Sequence, residues 1–291
     1  MKFNSKVAVV TGAGSGIGRA VAVELAARGA RLALSDIEPL GLAHTADLVA
    51  GQGAPVHTAT LDVSSRGAVA EYATAVLAHY GAVDIVVNNA GIAGDSGTFV
   101  NSELDGFQRI LDVNLWGVIN NTKAFLPSLI ASGDGHLVNI SSINGIVAQP
   151  GTAAYCTSKF AVRGFTESVR ADMVASGLPV RVTVVHPGGV STDIANSAFD
   201  RAGSDVTPEQ RKRLETYNDK LLRMPSEKAA GIIVDGIATG RSRVLVGHDA
   251  RLLDVVARIV PARIPVVTAW FERRMFGVPA VSDERSASAS S

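Results

Sequence analysis

Apolar residues recur along this chain in short runs separated by longer mixed stretches. Seven short apolar runs stand out, most of them rich in β-branched residues, at 6–11 (KVAVVT), 31–36 (RLALSD), 55–61, 83–89, 135–141, 180–186 and 243–247. Several are continuous rather than alternating, the pattern of strands covered on both faces. Alanine- and leucine-rich segments with helical character lie between them, near 17–28, 39–52, 65–80, 102–131, 152–176 and 226–239. Strand and helix alternating in this way predict an α/β fold, a doubly wound parallel sheet of about seven strands with helices on both faces. Ligands are then expected beyond the carboxyl ends of the strands.

Two regions depart from the rhythm. Residues 193–224 form a polar, charged insert after the sixth strand, in the right place for a lid over a substrate. Residues 248–277 read as helical, broken by Pro261 and Pro265, within a C-terminal extension (248–280) expected to pack on the same domain as 1–247. The small polar residues of 281–291 are expected to be disordered. Within 251–260, Leu252, Leu253, Val255, Val256, Ile259 and Val260 read as one amphipathic face. Such a face is expected to pack on the protein's own core, cover the mouth of the site or meet another subunit, ahead of 251–277 touching a membrane. No transmembrane span is expected, because Asp254, Arg258, Arg263 and two prolines interrupt the apolar stretch 252–271.

Composition narrows the picture. The 27 basic residues equal the 27 acidic ones, so no net field recruits nucleic acid or an anionic surface. The single cysteine, Cys156, excludes an intrachain disulfide framework and fits a reducing compartment. A strand pattern begins within six residues without an apolar leader, so a cytoplasmic protein is expected. The histidines form no HExxH or other tight ligand pair, and no catalytic metal is expected.

Candidate chemistry begins at VAVVTGAGSGIGRA (7–20), where a strand runs through glycines into a helix. That context suits a pyrophosphate, since glycines admit close backbone approach and a helix amino end offers free N–H groups. The common G-x-G-x-x-G spacing fits no register here, and no Gly-Lys-Ser/Thr follows. The spacing that fits is Gly12-x-x-x-Gly16-x-Gly18, preceded by Thr11. Further along, Tyr155 and Lys159 are four residues apart and share one helix face. A free tyrosine has a pKa of about 10, and a neighbouring ammonium favours its phenolate. Tyr155 is then a usable general base for an alcohol or general acid for a ketone.

With TGxxxGIG (Thr11, Gly12, Gly16, Ile17, Gly18), NNAG (88–91) and YxxxK (Tyr155, Lys159) in order, the chain resembles the short-chain dehydrogenase/reductases over residues 5–247. The resemblance implies a Rossmann-type sheet and a nicotinamide dinucleotide. It implies cofactor contacts at Gly12, Ser15, Gly16, Ile17, Gly18, Asp36, Asp62, Val63, Asn89, Ala90 and Gly91. Pro187, Gly188, Val190 and Thr192 would pass over the nicotinamide, and Lys159 would bond its ribose. Asp36 ends the second strand, where a carboxylate accepts from ribose hydroxyls and repels a 2′-phosphate. Ser15 stands where NADP-using relatives often carry a basic residue, so NAD is expected ahead of NADP.

The resemblance also selects Ser142 over Ser141, thirteen residues before Tyr155, as donor to the substrate oxygen, an oxyanion-type role. Asn114 matches the family's asparagine that kinks a helix and holds a relay water. Ser142 lacks a G-x-S-x-G elbow and is not read as a nucleophile. His186, at a strand end before a proline, is not read as the base, and Cys156 is read as a small core thiol. The implied reaction interconverts a secondary alcohol and a ketone by hydride transfer to nicotinamide C4. Ala93, Ile143, Gln149, Pro150, Ile194 and Phe199 would line a mostly apolar pocket for a hydrophobic hydroxy or carbonyl compound. The alternatives are an NADPH-dependent carbonyl reductase and a catalytically silent dinucleotide-binding regulator. Family members are commonly homotetramers, and the helices at 102–131 and 152–176 carry apolar residues beyond one sheet face, so a homo-oligomer is expected.

Overall fold

The computed structural model describes residues 3–94, 98–191, 216 and 221–276 of the 291. Seven strands form one sheet: β1 Val7–Thr11, β2 Arg31–Asp36, β3 Val56–Thr60, β4 Ile85–Asn88, β5 Gly135–Ile140, β6 Val180–Pro187 and β7 Arg243–Val246. Their order is β3-β2-β1-β4-β5-β6-β7, and all six pairings are parallel. The helices are α1 Gly16–Ala27, α2 Pro39–Ala50, α3 Arg66–Tyr80, α4 Leu104–Leu111, α5 Gly117–Ala131, α6 Ala153–Ala175, α7 Ser226–Ala238, α8 His248–Ile259 and α9 Ile264–Phe276. The doubly wound sheet read from the pattern is the fold observed.

Continuous apolar strands follow from cover on both faces, because alternate side chains of a strand point to opposite sides. In β1, Ala8 and Val10 join the cluster under α1 and α7 with Leu25, Ile233 and Ile237. Val7 and Val9 join the opposite cluster, under α3 and α5, with Val76, Phe125 and Leu129. The strand order turns back between β1 and β4, which opens a crevice at their carboxyl ends.

The helix expected over 102–131 begins at Leu104, and the kink that the resemblance implied at Asn114 is a π turn at Asp112–Trp116, between α4 and α5. Two expectations need correction. Pro261 does separate α8 from α9, through the 3₁₀ turn Pro261–Arg263, but Pro265 breaks nothing. It sits in the first turn of α9, where a missing N–H costs little.

The apolar face read over 251–260 is in fact two faces. Asp254 is buried against Arg243, with two bonds of 2.8 and 2.5 Å. This pair fixes the rotation of α8, so Ala250, Leu253, Val256 and Ala257 pack inward. Leu252, Val255 and Ile259 are left facing outward.

Phe125 is fully buried and meets Tyr72 edge-on at 6.0 Å. Phe125→Ala is expected to lower unfolding free energy by about 3–5 kcal/mol, measured by urea titration.

Candidate active site

The glycine turn after β1 is shaped by close approach. Gly12 and Gly16 have φ of +63° and +50°, a left-handed conformation that glycine adopts without a Cβ clash. A Cβ on Gly18 would overlap the Gly12 carbonyl and come within 2.5 Å of the Asn89 amide. Ser15 occupies the N-cap of α1 without a side-chain bond to the first turn, so it occupies none of the amides at the helix's amino end. Such a cradle fits a diphosphate.

Neighbouring strands hold the turn. The Thr11 hydroxyl accepts from the Asn89 and Ala90 N–H groups, each at 3.1 Å. The Asn89 amide donates to the Thr11 and Gly12 carbonyls at 3.1 and 3.0 Å. At the end of β2, next to β1, the Asp36 carboxylate accepts from Gly14 N–H at 2.7 Å and Glu38 N–H at 2.9 Å. Asp62 accepts from both the amide and hydroxyl of Ser64, and Val63 is buried beside Gly117. Ile17 packs against the core under α1.

The residues expected to handle the proton lie near the ends of β4 and β5 and on α6. Asn114, in the π turn, is fully buried. Its Oδ1 accepts from Ile92 N–H at 2.7 Å, and its Nδ2 donates to Ile92 O at 2.9 Å and Ser158 Oγ at 3.1 Å. On α6, Tyr155 is half-buried and the Lys159 Nζ lies 5.6 Å from its ring centre. Lys159 donates to the Ile140 carbonyl at 3.2 Å. Gly91 lies against both Asn114 and Lys159; a Cβ there would stand 3.2 Å from Asn114 Oδ1 and 3.4 Å from Lys159 Nζ.

The adjacent serines have different surroundings. Ser141 donates to the Lys159 carbonyl at 2.8 Å, which ties the end of β5 to α6. Ser142 Oγ accepts from Asn144 N–H at 3.1 Å, which leaves its own proton to donate.

His186 is completely buried, and its Nδ1 donates to the Ser142 carbonyl at 2.9 Å. Burial lowers its pKa to about 4, so the imidazole is neutral near pH 7. Cys156 is buried, with its Sγ 3.2 Å from the Thr152 hydroxyl.

The far wall comes from the C-terminal extension. Ile143, Ile146 and Val147, just after Ser142, cluster with Ala250 of α8 and Ile264 of α9. Asp249 accepts from Gly189 N–H at 2.7 Å and fills the space a Cβ on Gly188 would need. The turn Pro187–Val190 is held further by Gly188 N–H on Val246 O and by a bridge from Val190 to Met224. Ala93 is half-buried after β4, and Gln149 accepts from the Asn144 amide at 3.4 Å. Thr192, Ile194, Phe199 and most of the 193–224 insert lie outside the described residues. Sequence reasoning missed Asp249, Ser158 and the positioning bond of His186. All three act through partners distant in the chain, and only the motif-bearing neighbours carried a signal.

A family model described as short chain dehydrogenase matches residues 6–203. The chain belongs to this family. A Mycobacterium tuberculosis (strain H37Rv) protein named "Putative oxidoreductase SadH" is 51% identical over 258 residues, covering 89% of this chain and 92% of the relative. The human estradiol 17-beta-dehydrogenase 11 is 32% identical over 263 residues, covering 90% and 81%. Among solved structures, a short chain dehydrogenase/reductase from Burkholderia phymatum in complex with NAD superposes with a TM-score of 0.82. That pair is 28% identical and covers 97% of this chain and 99% of the other. This short-chain dehydrogenase is therefore an oxidoreductase of that family.

Burial lowers the Lys159 pKa from 10.5 to about 8. Between those values the unfolded chain binds the extra proton, so stability rises with pH through that window. The apoprotein's melting temperature is expected to rise from pH 8 to 10.5 relative to Lys159→Met. Near pH 7 that variant is expected to be more stable than the parent, by on the order of 1–3 kcal/mol.

Proposed function

We propose that this short-chain dehydrogenase interconverts a secondary alcohol and a ketone with NAD, using Tyr155 as general acid/base. The observation that supports the proposal most is the Lys159 ammonium beside the Tyr155 ring, with Lys159 and Asn114 both against Gly91, while Ser142 after β5 keeps a hydroxyl proton to donate. A bound nicotinamide dinucleotide supplies the hydride acceptor in oxidation and the donor in reduction. Gly12, Ser15, Gly16, Ile17 and Gly18 would hold its diphosphate, with Asp62, Val63, Asn89, Ala90 and Gly91 along the crevice. Pro187, Gly188 and Val190 would close over its far end, with Thr192 beyond them.

Ser142 donates its remaining proton to the substrate oxygen and orients the carbinol against Tyr155. In oxidation the Tyr155 oxygen takes the hydroxyl proton; in reduction it returns one. Lys159, below its lowered pKa, supplies the positive charge that favours the phenolate. Asn114 anchors the loop at Ile92 to α6, and its Oδ1 keeps one acceptor position for a relay water.

Asp36 supports NAD over NADP, because its carboxylate at the end of β2 would repel a 2′-phosphate. The apolar Ile143 wall supports a hydrophobic substrate, in keeping with the name of the estradiol-oxidising relative. Exposed Trp116, Phe160 and Val174 on the α5 approach and on α6 support a homo-oligomer.

Tyr155→Phe is expected to reduce turnover at least 1,000-fold, while NADH affinity, followed by fluorescence titration, changes less than about threefold. Retained dehydrogenase activity would refute the mechanism. Asp36→Ala is expected to narrow the preference for NADH over NADPH by about tenfold or more, read from paired binding titrations.

A further inference from the structure

The two C-terminal helices turn an unusual surface outward. Leu252 (64% exposed), Val255 and Ile259 (72%) line one arc of α8, opposite the buried Ala250 and Asp254. On α9, Val266 (69%), Val267, Trp270 (62%) and Phe271 are exposed, while Ile264 is buried against the Ser142 turn. Inward faces are thus already satisfied, and the outward apolar positions have no cover among the described residues.

Charge is concentrated at the same place. Residues 248–276 hold five arginines (251, 258, 263, 273 and 274), no lysine and three acids (Asp249, Asp254 and Glu272), in a chain with no net charge. Asp249 is engaged with Gly189 N–H, and Asp254 with Arg243 and Arg258. At 100° per residue, Arg251 and Arg258 fall within about 60° of Val255, at the edge of the apolar arc of α8. By the same spacing Arg273 and Arg274 fall among the apolar positions of α9, and the Arg274 guanidinium lies 5.9 Å from the Trp270 ring centre.

We propose that the outward faces of α8 and α9 dock on an anionic lipid surface. Exposed Trp, Phe and aliphatic side chains flanked by arginine match an interfacial helix, whose apolar face enters the acyl boundary while cations stay at the headgroups. Arginine can bury its stem and keep its head in the polar layer. A second copy of this chain fits less well. A two-fold contact through this face would bring the same excess of positive charge from both sides. Cores of protein–protein interfaces are also depleted of charge. Because α8 and α9 also back the Ser142 turn and the Gly188–Gly189 turn, docking would hold that side of the site at the lipid boundary. None of the described helices is long and apolar enough to cross a membrane, so the contact is peripheral.

The test is co-sedimentation of the full chain with vesicles of pure phosphatidylcholine or an equal mixture with phosphatidylglycerol, at about 0.1 M salt. Binding to the mixed vesicles is expected to exceed binding to the neutral ones by about tenfold or more. Val266→Glu combined with Trp270→Glu is expected to abolish it, with circular dichroism and melting temperature unchanged. Arg273→Glu combined with Arg274→Glu is expected to weaken it about tenfold or more. Three results would each overturn the proposal: no binding to the mixed vesicles, equal binding to both kinds, or binding retained by Val266→Glu/Trp270→Glu. So would light scattering that finds the parent oligomeric and this double variant dissociated, since the face would then belong to a subunit contact.

Discussion

Hydrogen bonds between the carboxyl ends of β1 and β4 govern the rest of the site. The two strands are sheet neighbours although more than seventy residues separate them. Thr11 accepts two backbone N–H groups from the end of β4, and Asn89 returns two bonds to the end of β1. These contacts leave no room for side chains at Gly12 or Gly18. They also set where the amino end of α1 points. Since β1 and β4 leave the sheet in opposite directions, the seam lies on the floor of the crevice. Everything read as cofactor-binding is measured from that floor.

A second constraint acts around Lys159 and Asn114. Lys159 is buried, so its ammonium must be held by fixed dipoles, here the Ile140 carbonyl and the surroundings of Gly91 and Asn114. Burying a cation is costly, and the site is a local departure from a core that otherwise seeks apolar packing. The π turn belongs to the same economy. It inserts a wider loop of backbone into the helix and turns Asn114 into the interior, where it links Ile92 to Ser158. Ser158 in turn donates to the Tyr155 carbonyl, so the asparagine reaches the tyrosine's helix through one intermediary.

The C-terminal extension completes the enclosure. Through Asp249 it pins the turn after β6, and through Ala250 and Ile264 it backs the turn that carries Ser142. His186 stiffens the same corner from inside the sheet as a neutral donor. The Arg243–Asp254 pair orients α8 and thereby decides which apolar residues seal the site and which face outward.

The sequence by itself determined the alternation of strands and helices, the parallel sheet and the glycine turn. These follow from period and backbone sterics, which act over a few residues and leave a mark in the pattern. The pair Tyr155 and Lys159 was legible for the same reason, since one helical turn separates them. The helix break at Asn114 was implied by the family resemblance, but tertiary structure alone decided the docking of Asp249 on Gly189 and the rotation of α8. Each is a bond or ion pair between distant segments. The free energy of such a contact exists only once both partners are in place, so no local pattern could announce it. The six apolar residues of 251–260 show this most directly. Local spacing offered one face, and one buried ion pair divided it in two.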